Sequence, residues 1–243
     1  MESGMKLAVV SGGSRGLGAS LCRQYTEAGY ELVEFSRSAP HPFSAPCDFT
    51  DPPQVSEIVA KRLAPLSTSP APEEIVVISN AGMLAPIGPS SRKAPEEILA
   101  NINANFASAI LFMSEVIRAF QNSPARKTLV SISSGAGTKG YAGWSLYCAA
   151  KAGLDNFVRA LAMEQALETH PFRALSIDPG IMDTHMQAGI RACDERDFPA
   201  VARFLGLHRD GALRSPDQIA KAIRTIVAKE HGGGERLTAA DFL

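Results

Sequence analysis

The sequence has few of the features that mark secreted, membrane-bound or metal-binding proteins. Only four of its 243 residues are cysteine, and no two are spaced as in a zinc or redox motif. No apolar run approaches the length that crosses a bilayer, and the N-terminus lacks the basic leader and apolar stretch of a signal peptide. Since the five histidines are also dispersed, we expect free thiols, no metal site and a cytoplasmic protein.

An excess of charge of one sign is missing as well. Lys and Arg total 24 against 25 Asp and Glu, and the cations are scattered along the chain. A net charge of −1 gives no electrostatic reason to bind nucleic acid or an anionic membrane. The chain is 45% apolar and 20% charged, which is typical of an ordinary globular protein.

Short apolar runs alternate with longer amphipathic ones. The apolar runs predict strands at residues 7–10, 31–35, 75–78, 128–132, 173–177 and 236–238. Helical spacing and capping residues predict helices over 16–28, from Asp51, over 95–120, over 145–168, and from Ser215. This alternation predicts one α/β domain over residues 1–243, a doubly wound parallel sheet with helices on both faces. The stretch 65–72, rich in Pro and Ser, is expected to be a surface loop.

A glycine-rich turn follows the first predicted strand and opens the first predicted helix. It runs Gly12-Gly13-Ser14-Arg15-Gly16-Leu17-Gly18. Glycine permits a tight turn and lets backbone N–H groups and the helix N-terminus approach a pyrophosphate. The strand before it and the helix after it supply the context that such a motif needs, whereas a merely flexible turn is the alternative.

The spacing Gly-x-x-x-Gly-x-Gly is typical of the short-chain dehydrogenase/reductase family, and the resemblance covers nearly the whole chain. The other matching motifs, in order, are Asn80-Ala81-Gly82, Asn105, Ser134, Tyr147-x-x-x-Lys151 and Pro179-Gly180 followed by Thr184. The resemblance implies a Rossmann-type fold and catalysis by Asn105, Ser134, Tyr147 and Lys151. It implies cofactor contacts by Gly12, Ser14, Arg15, Gly16, Leu17, Gly18, Asp48, Asn80, Ala81, Gly82, Tyr147, Lys151, Pro179, Gly180 and Thr184. The family pattern selects Asn105 over Asn103 and Ser134 over Ser133.

Simple chemistry supports the pairing of Tyr147 with Lys151. The two residues are i and i+4, so they share a helix face. A nearby ammonium favours the phenolate and is expected to lower the tyrosine pKa from its usual value near ~10. Ser134 can donate a hydrogen bond to a carbonyl oxygen and share its developing charge. In the family, the Lys also holds the nicotinamide ribose, and Asn105 resembles the residue that anchors a water leading to solvent. A surface Tyr and a solvated Lys are the alternative.

The end of the second predicted strand indicates the coenzyme. NAD-binding sites usually place a carboxylate there, on the ribose 2′-hydroxyl. This chain has Ser36 at the expected position, followed by Arg37, and a second cation, Arg15, lies in the glycine-rich turn. Two guanidinium groups suit a 2′-phosphate, so we expect NADP. Glu34 is the residue that would favour NAD if the strand ended earlier.

Two segments suggest the substrate. Residues 140–148 and 179–187 resemble those of the sepiapterin reductases and bacterial benzil reductases within the family. That resemblance implies an NADPH-dependent carbonyl reductase that acts on bulky or aromatic ketones and diketones. Trp144, Met182 and Met186 either line an apolar substrate site or pack a lid, near residues 181–213, onto the body. Asp241 matches a pterin-holding carboxylate, with a solvated terminal Asp as the alternative.

The sequence is also compatible with two other functions. An NAD-dependent alcohol dehydrogenase of the same family is one alternative, and a non-catalytic NADP-binding regulator is another. Retention of Tyr147 and Lys151 disfavours the regulator. The predicted helices at 95–120 and 145–168 carry long apolar faces, and family members commonly pair these helices, so we expect a homodimer or homotetramer.

Overall fold

The computed structural model describes residues 4–68 and 71–243. Seven parallel strands form one sheet in the order β3-β2-β1-β4-β5-β6-β7. The strands are β1 Lys6–Ser11, β2 Glu31–Ser36, β3 Ser44–Pro46, β4 Glu74–Ser79, β5 Arg126–Ile132, β6 Phe172–Asp178 and β7 Arg236–Thr238. The doubly wound α/β fold is confirmed. Strand order reverses between β1 and β4, and ligands of such sheets bind at the carboxyl ends of the strands near that point.

Helices cover both faces of the sheet. They are α1 Gly16–Glu27, α2 Pro52–Ser67, α3 Pro95–Ile102, α4 Ser108–Phe120, α5 Ser145–Gln165, α6 His185–Arg191, α7 Val201–Arg209 and α8 Pro216–Ala228. Side chains alternate across each strand, so Leu7 and Val9 of β1 enter the core beneath α2, α4 and α5, whereas Ala8 and Val10 enter the core beneath α1 and α8. The predicted helix starts at Asp51 and Ser215 are confirmed, since each side chain accepts a backbone N–H of its first turn.

Three boundaries differ from the sequence-based expectations. The first part of the expected loop at 65–72 is helical, because α2 continues to Ser67. The hydroxyls of Ser67 and Thr68 donate to the carbonyls of Ala64 and Pro65, which satisfies the helix end despite the proline. Residues 69–70 of that stretch, like residues 1–3 of the N-terminus, lie outside the described residues. The helix expected to reach 168 ends at Gln165.

The third difference lies within the helix expected over 95–120. A five-residue π-helical segment, Asn103–Ala107, separates α3 from α4. Such segments are rare and often occur at functional sites. Among the described residues, no helix is long and apolar enough to cross a membrane.

Candidate active site

The glycine-rich turn forms a concave cradle after β1. Gly12 and Gly16 have φ values of +70° and +54°, which other residues rarely adopt. A Cβ on Gly18 would lie 2.0 Å from the Gly12 carbonyl oxygen, and one on Gly12 would lie 2.8 Å from the Ala81 Cα. Side chains are therefore excluded at positions 12 and 18, so a pyrophosphate can approach the backbone N–H groups of the helix that follows.

The end of β4 supports this cradle. The Asn80 side chain donates to the Gly12 carbonyl at 2.9 Å. The Ser11 hydroxyl oxygen accepts the backbone N–H groups of Asn80 and Ala81 at 3.0 and 3.1 Å. A Cβ on Gly82 would lie 2.9 Å from Asn105 Oδ1. The Asn80-Ala81-Gly82 motif thus ties β1, β4 and the π-helical segment together.

Glu34 is the acidic residue that could have favoured NAD, and it lies buried in β2. Its carboxylate accepts the Gly13 N–H at 2.8 Å and the Ser44 hydroxyl. Both carboxylate oxygens are therefore engaged by the protein, beneath the glycine-rich turn. Glu34 braces that turn and does not extend toward a ribose.

Unlike Glu34, the two arginines near the end of β2 are exposed. Ser36 is buried, whereas Arg15 and Arg37 are exposed and make no ion pair with any described residue. Two unpaired guanidinium groups beside a glycine-rich turn fit a 2′-phosphate. Asp48 follows β3 and accepts the backbone N–H and the hydroxyl of Thr50, both at 2.9 Å. The residues present therefore fit an NADP-type dinucleotide.

Tyr147, Lys151 and Ser134 meet at the carboxyl end of β5. Tyr147 is 8% exposed, and the side chain of Ser134 lies near enough to its hydroxyl to lower its pKa through hydrogen bonding. The Lys151 Nζ lies 5.6 Å from the centre of the Tyr147 ring and donates to the Ile132 carbonyl at 2.7 Å. Ser134 Oγ also accepts the Ala136 N–H at 3.2 Å. Two hydroxyls and a buried ammonium are thus held together in one place.

Burial controls the ionisation of this pair. It raises the pKa of Tyr147 to about 12, although the hydrogen bond with Ser134 acts in the opposite direction. Burial also lowers the pKa of Lys151 to about 8, against the opposing effect of Asp155 and Asp178. The expectation of a lowered tyrosine pKa is therefore wrong for the protein by itself, because burial raises it.

Asn105 lies in the π-helical segment and is almost fully buried. Its side chain accepts the Met83 N–H at 2.9 Å and donates to the Met83 carbonyl at 2.7 Å and to Asn101 Oδ1 at 3.0 Å. Asn103 instead donates to the Thr50 carbonyl at 3.1 Å. Asn105 thus joins the loop after β4 to the helix that packs on α5, whereas Asn103 is held elsewhere.

Arg236 was not predicted from the sequence. It donates to Asp155 Oδ2 at 2.9 Å, to Asp178 Oδ2 at 3.0 Å and to the Ser134 carbonyl at 2.9 Å. The Ser133 hydroxyl donates to the same oxygen of Asp155 at 2.9 Å. Arg236 therefore binds β5, α5 and β6 to β7 directly behind Ser134, and Ser133 belongs to this internal network.

One sequence signal could have drawn attention to this network. Asp155 is four residues after Lys151 and shares its helix face, and a buried carboxylate requires a partner. Asp178 immediately precedes Pro179-Gly180, and it accepts the Gly180 N–H at 3.0 Å. Nothing in the local sequence identifies Arg236 as the shared partner.

An apolar cluster borders Tyr147 and joins the body to α6 and α7. Its buried members are Leu84, Ala136, Trp144, Tyr147, Ile190, Phe198, Val201 and Phe204. The Trp144 ring stacks on Phe198 at 4.4 Å between centroids and stands edge-on to Tyr147 at 6.4 Å. Trp144 thus packs the segment 181–213 onto the body and lies next to Tyr147, so the two alternatives for this residue are compatible.

The other expected substrate residues are placed less centrally. Met182 packs against the core beneath α1 and α8, and Met186 is 38% exposed. Asp241 is exposed on a short 3₁₀ turn, Ala239–Phe242. Thr184 caps α6, and its Cγ2 lies 3.4 Å from the point that a Cβ on Gly16 would occupy. Thr184 therefore reaches the glycine-rich turn, whereas substrate contacts by Met182, Met186 and Asp241 stay predictions.

Comparison with known proteins identifies the family. The family model described as short chain dehydrogenase matches residues 6–195. A benzil reductase ((S)-benzoin forming) of Bacillus subtilis is 33% identical over 244 residues, which cover 98% of this chain and 100% of that protein. A sepiapterin reductase of Mus musculus is 31% identical over 180 residues, 71% of this chain and 66% of that protein. The crystal structure of the KRED1-Pglu enzyme superposes with a TM-score of 0.80 at 27% identity, covering 96% of this chain and 100% of that one. The chain is therefore an oxidoreductase of the short chain dehydrogenase family.

Proposed function

We propose that the protein is an NADPH-dependent carbonyl reductase whose preferred substrates are bulky or aromatic ketones and vicinal diketones such as benzil. The observation that carries this proposal is the placement of Tyr147 beside Ser134 and the Trp144–Phe198 stack. A carbonyl oxygen can meet both hydroxyls there while a flat ring lies against apolar side chains. The similarity to proteins named benzil reductase supports the same substrate class.

The glycine-rich turn and the two free guanidinium groups support NADP as the coenzyme. Arg15 and Arg37 would hold the 2′-phosphate, and Glu34 is not available to hold a 2′-hydroxyl. Thr184, which reaches the turn from α6, would help to enclose the coenzyme. When bound, the reduced nicotinamide supplies a hydride to the carbonyl carbon.

Tyr147 acts as the proton donor in this proposal. The hydroxyl, whose pKa burial raises to about 12, is protonated at neutral pH, and transfer of its proton to the carbonyl oxygen requires stabilisation of the phenolate that forms. Ser134 donates a hydrogen bond to the same oxygen and stabilises charge as it develops. The Lys151 ammonium, 5.6 Å from the ring centre, stabilises the phenolate that remains. Asn105 fixes the helix that packs on α5 and thereby supports the position of Lys151.

The surroundings of Tyr147 favour a large, flat substrate. Leu84, Ile190 and Phe198 belong to the same apolar cluster as Tyr147. Helices α6 and α7, which lie in the proposed lid segment 181–213, contribute to this cluster. A vicinal diketone also has a second oxygen that can accept a hydrogen bond. The proposal of a pterin substrate has less support than that of a diketone, since it requires the exposed Asp241 to reach the site.

A panel of carbonyl compounds tests the substrate proposal. Specificity constants are measured with benzil, sepiapterin, a ketosteroid and a short-chain ketone, each with NADPH and NADH. We expect benzil with NADPH to give the highest value. If the short-chain ketone is the best substrate, the assignment of the apolar cluster is wrong. If NADH gives the higher values, the protein is an NAD-dependent enzyme of the same family, and an absence of turnover with every pair would favour the non-catalytic regulator.

The expected homodimer or homotetramer remains a proposal, as does the cytoplasmic location. Partly exposed apolar side chains such as Ile110 and Ile117 on α4 and Phe157 on α5, together with the exposed Met163, give an association surface for a second copy. Light scattering at micromolar concentration is expected to give at least twice the monomer mass of 25.8 kDa, and a monomer would contradict the proposal.

A further inference from the structure

A row of buried serines crosses the sheet near the carboxyl ends of its strands. Ser11 of β1 is paired in register with Ser79 of β4, Ser79 with Ser131 of β5, and Ser131 with Ser176 of β6. The row ends at Arg236 of β7, which is the register partner of Ser176. Because side chains alternate across each strand, these serines lie on the face covered by α2, α4 and α5. A polar row therefore lies beneath the helix that carries the proposed proton donor.

Two hydroxyls of this row have no hydrogen-bond partner within the part of the protein that the structure describes. They are the Oγ atoms of Ser131 and Ser176, and both residues are 1% exposed. Asp155 of α5 is 2% exposed, and its Oδ1 also has no partner there. Buried polar groups are almost always hydrogen-bonded, because an unpaired donor or acceptor is unfavourable away from water. Unpaired oxygens on three packed elements therefore indicate a polar ligand, provided that they meet at one place.

The other oxygen of Asp155 shows where its carboxylate lies. Asp155 Oδ2 accepts the Ser133 hydroxyl and the Arg236 Nε, both at 2.9 Å. Ser133 follows Ser131 by two positions and so shares its face of the sheet. Arg236 is the register partner of Ser176 on the neighbouring strand. The groups that hold Oδ2 thus adjoin the two serines along β5 and across to β7, which brings the carboxylate over the Ser131–Ser176 pair.

Charge and hydrogen-bonding chemistry select the ligand. A metal cation is disfavoured, because the Arg236 guanidinium and the Lys151 ammonium already accompany the Asp155 carboxylate. An anion is disfavoured by the carboxylate itself. A water molecule can donate to Asp155 Oδ1 and form a hydrogen bond with each serine hydroxyl, and three such bonds are typical of buried water. We infer that Ser131, Ser176 and Asp155 bind one buried water molecule.

This water makes Asp155 a positioning residue for Lys151. The two side chains are i and i+4 on α5 and lie side by side over β5. Lys151 Nζ donates to the Ile132 carbonyl at 2.7 Å, whereas Asp155 accepts the hydroxyl of Ser133, the next residue. Burial lowers the pKa of Lys151 to about 8, and the Asp155 carboxylate acts in the opposite direction. Its fixed charge therefore favours the ammonium, and the value of that ammonium to catalysis rests on the proposed function.

A direct bond between the two serines is the alternative. Since Ser131 and Ser176 are register partners on neighbouring strands, rotation of their side chains could pair the two hydroxyls without a water. Asp155 Oδ1 would then stay unpaired, and a change at Asp155 would be independent of a change at either serine.

A high-resolution crystal structure and thermal unfolding of the full-length protein distinguish the two arrangements. We expect electron density for one water within hydrogen-bond distance of all three oxygens. Ser131→Ala and Ser176→Ala should each lower the melting temperature by about 3 °C, because each removes one partner of the water. Ser176→Ala combined with Asp155→Asn should lose less than the sum of the two, since they share that water. Ser108→Ala is the control, because its hydroxyl donates to the Phe49 carbonyl and its loss should add to that of Ser176→Ala.

Two results would overturn the water site. One is a serine variant that is as stable as the wild type, or more stable, because removing an unpaired hydroxyl has no cost. The other is the absence of density between Ser131, Ser176 and Asp155. If the two serines are coupled to each other but not to Asp155, the direct bond replaces the water.

The pH–rate profile of Asp155→Asn tests the effect on Lys151. The other charged or titratable groups around this ammonium are Tyr147 on its own helix, Asp178 of β6, and Arg236 of β7, which contacts both carboxylates. Removing the Asp155 charge should lower the pKa of Lys151, so the basic limb should move to lower pH by at least ~0.5. A purely structural change would lower turnover without moving the limb, and that result would overturn the positioning role. If the wild type reduces no carbonyl, the proposed function fails, whereas the density and the unfolding data still decide the water site.

Discussion

The proposed coenzyme half of the site is built from backbone, whereas the proposed substrate half is built from side chains. At the glycine-rich turn, even a Cβ on Gly18 would collide with the Gly12 carbonyl, and Asn80 and Glu34 serve to hold that backbone in place. Around Tyr147, buried side chains from α5, α6, α7 and the loop after β4 pack together. The first half can therefore recognise a constant group such as a pyrophosphate, and the second can vary with the substrate.

Removing the Tyr147 hydroxyl should have the largest effect, confined to the substrate half. Tyr147→Phe should lower turnover with benzil at least ~100-fold, because a general acid contributes that much or more. The NADPH dissociation constant should change little, since the coenzyme half is separate. Tyr141→Phe is the matched control, because Tyr141 also packs on Trp144, at 5.0 Å between ring centres. Turnover above about a tenth of the wild-type value in Tyr147→Phe would exclude it as the proton donor.

A substitution in the glycine-rich turn should affect coenzyme binding. Gly18→Ala places a methyl group 2.0 Å from the Gly12 carbonyl, so the turn must shift and the affinity for NADPH should fall by more than about tenfold. Gly140→Ala is the control, because nothing lies within 4 Å of its added Cβ. Thermal unfolding of both variants separates lost binding from lost folding. Wild-type affinity in a folded Gly18→Ala protein would contradict the backbone-built cradle.

Arg37→Ala tests which coenzyme the cradle selects. Removing one charged hydrogen-bonding partner of the 2′-phosphate should weaken NADPH binding about tenfold and leave NADH binding nearly unchanged. Arg62→Ala removes an exposed arginine of α2 and serves as the control. Equal losses for the two coenzymes, measured by fluorescence titration, would show that Arg37 does not contact the phosphate.

Arg236→Gln should have a smaller effect on turnover and a distinctive effect on pH dependence. Asp155 and Asp178 both raise the pKa of Lys151, which burial lowers to about 8. Without Arg236 these carboxylates lose their counter-charge, so the basic limb of the pH–rate profile that Lys151 sets should move to higher pH. Turnover should fall about fivefold as Ser134 loses its brace. Arg236→Lys retains the charge and should restore the pH profile, and an unchanged profile in Arg236→Gln would exclude this electrostatic role.

The two halves also differ in how far the sequence predicts them. The cradle follows from glycine spacing because its constraints are local, and the strand ends follow because buried parallel strands have a clear apolar pattern. Arg236 meets residues 58, 81 and 102 positions away, and no local pattern carries such pairings. The π-helical segment and the helical end at Pro65–Ser67 depend on packing and capping that the apolar periodicity does not reveal. The pKa of Tyr147 could not be predicted from the i, i+4 spacing, because its direction is set by burial, which depends on the packing of distant segments.

The ionisation of Tyr147 tests most directly the claim that burial keeps this hydroxyl protonated in the coenzyme-free protein. An ultraviolet difference titration of the coenzyme-free wild type against Tyr147→Phe isolates the signal of this one phenol. We predict that Tyr147 remains protonated beyond pH 10 and ionises near pH 12. Ionisation between about pH 7 and 9 would show that the Lys151 ammonium outweighs burial, and it would contradict the raised pKa of Tyr147.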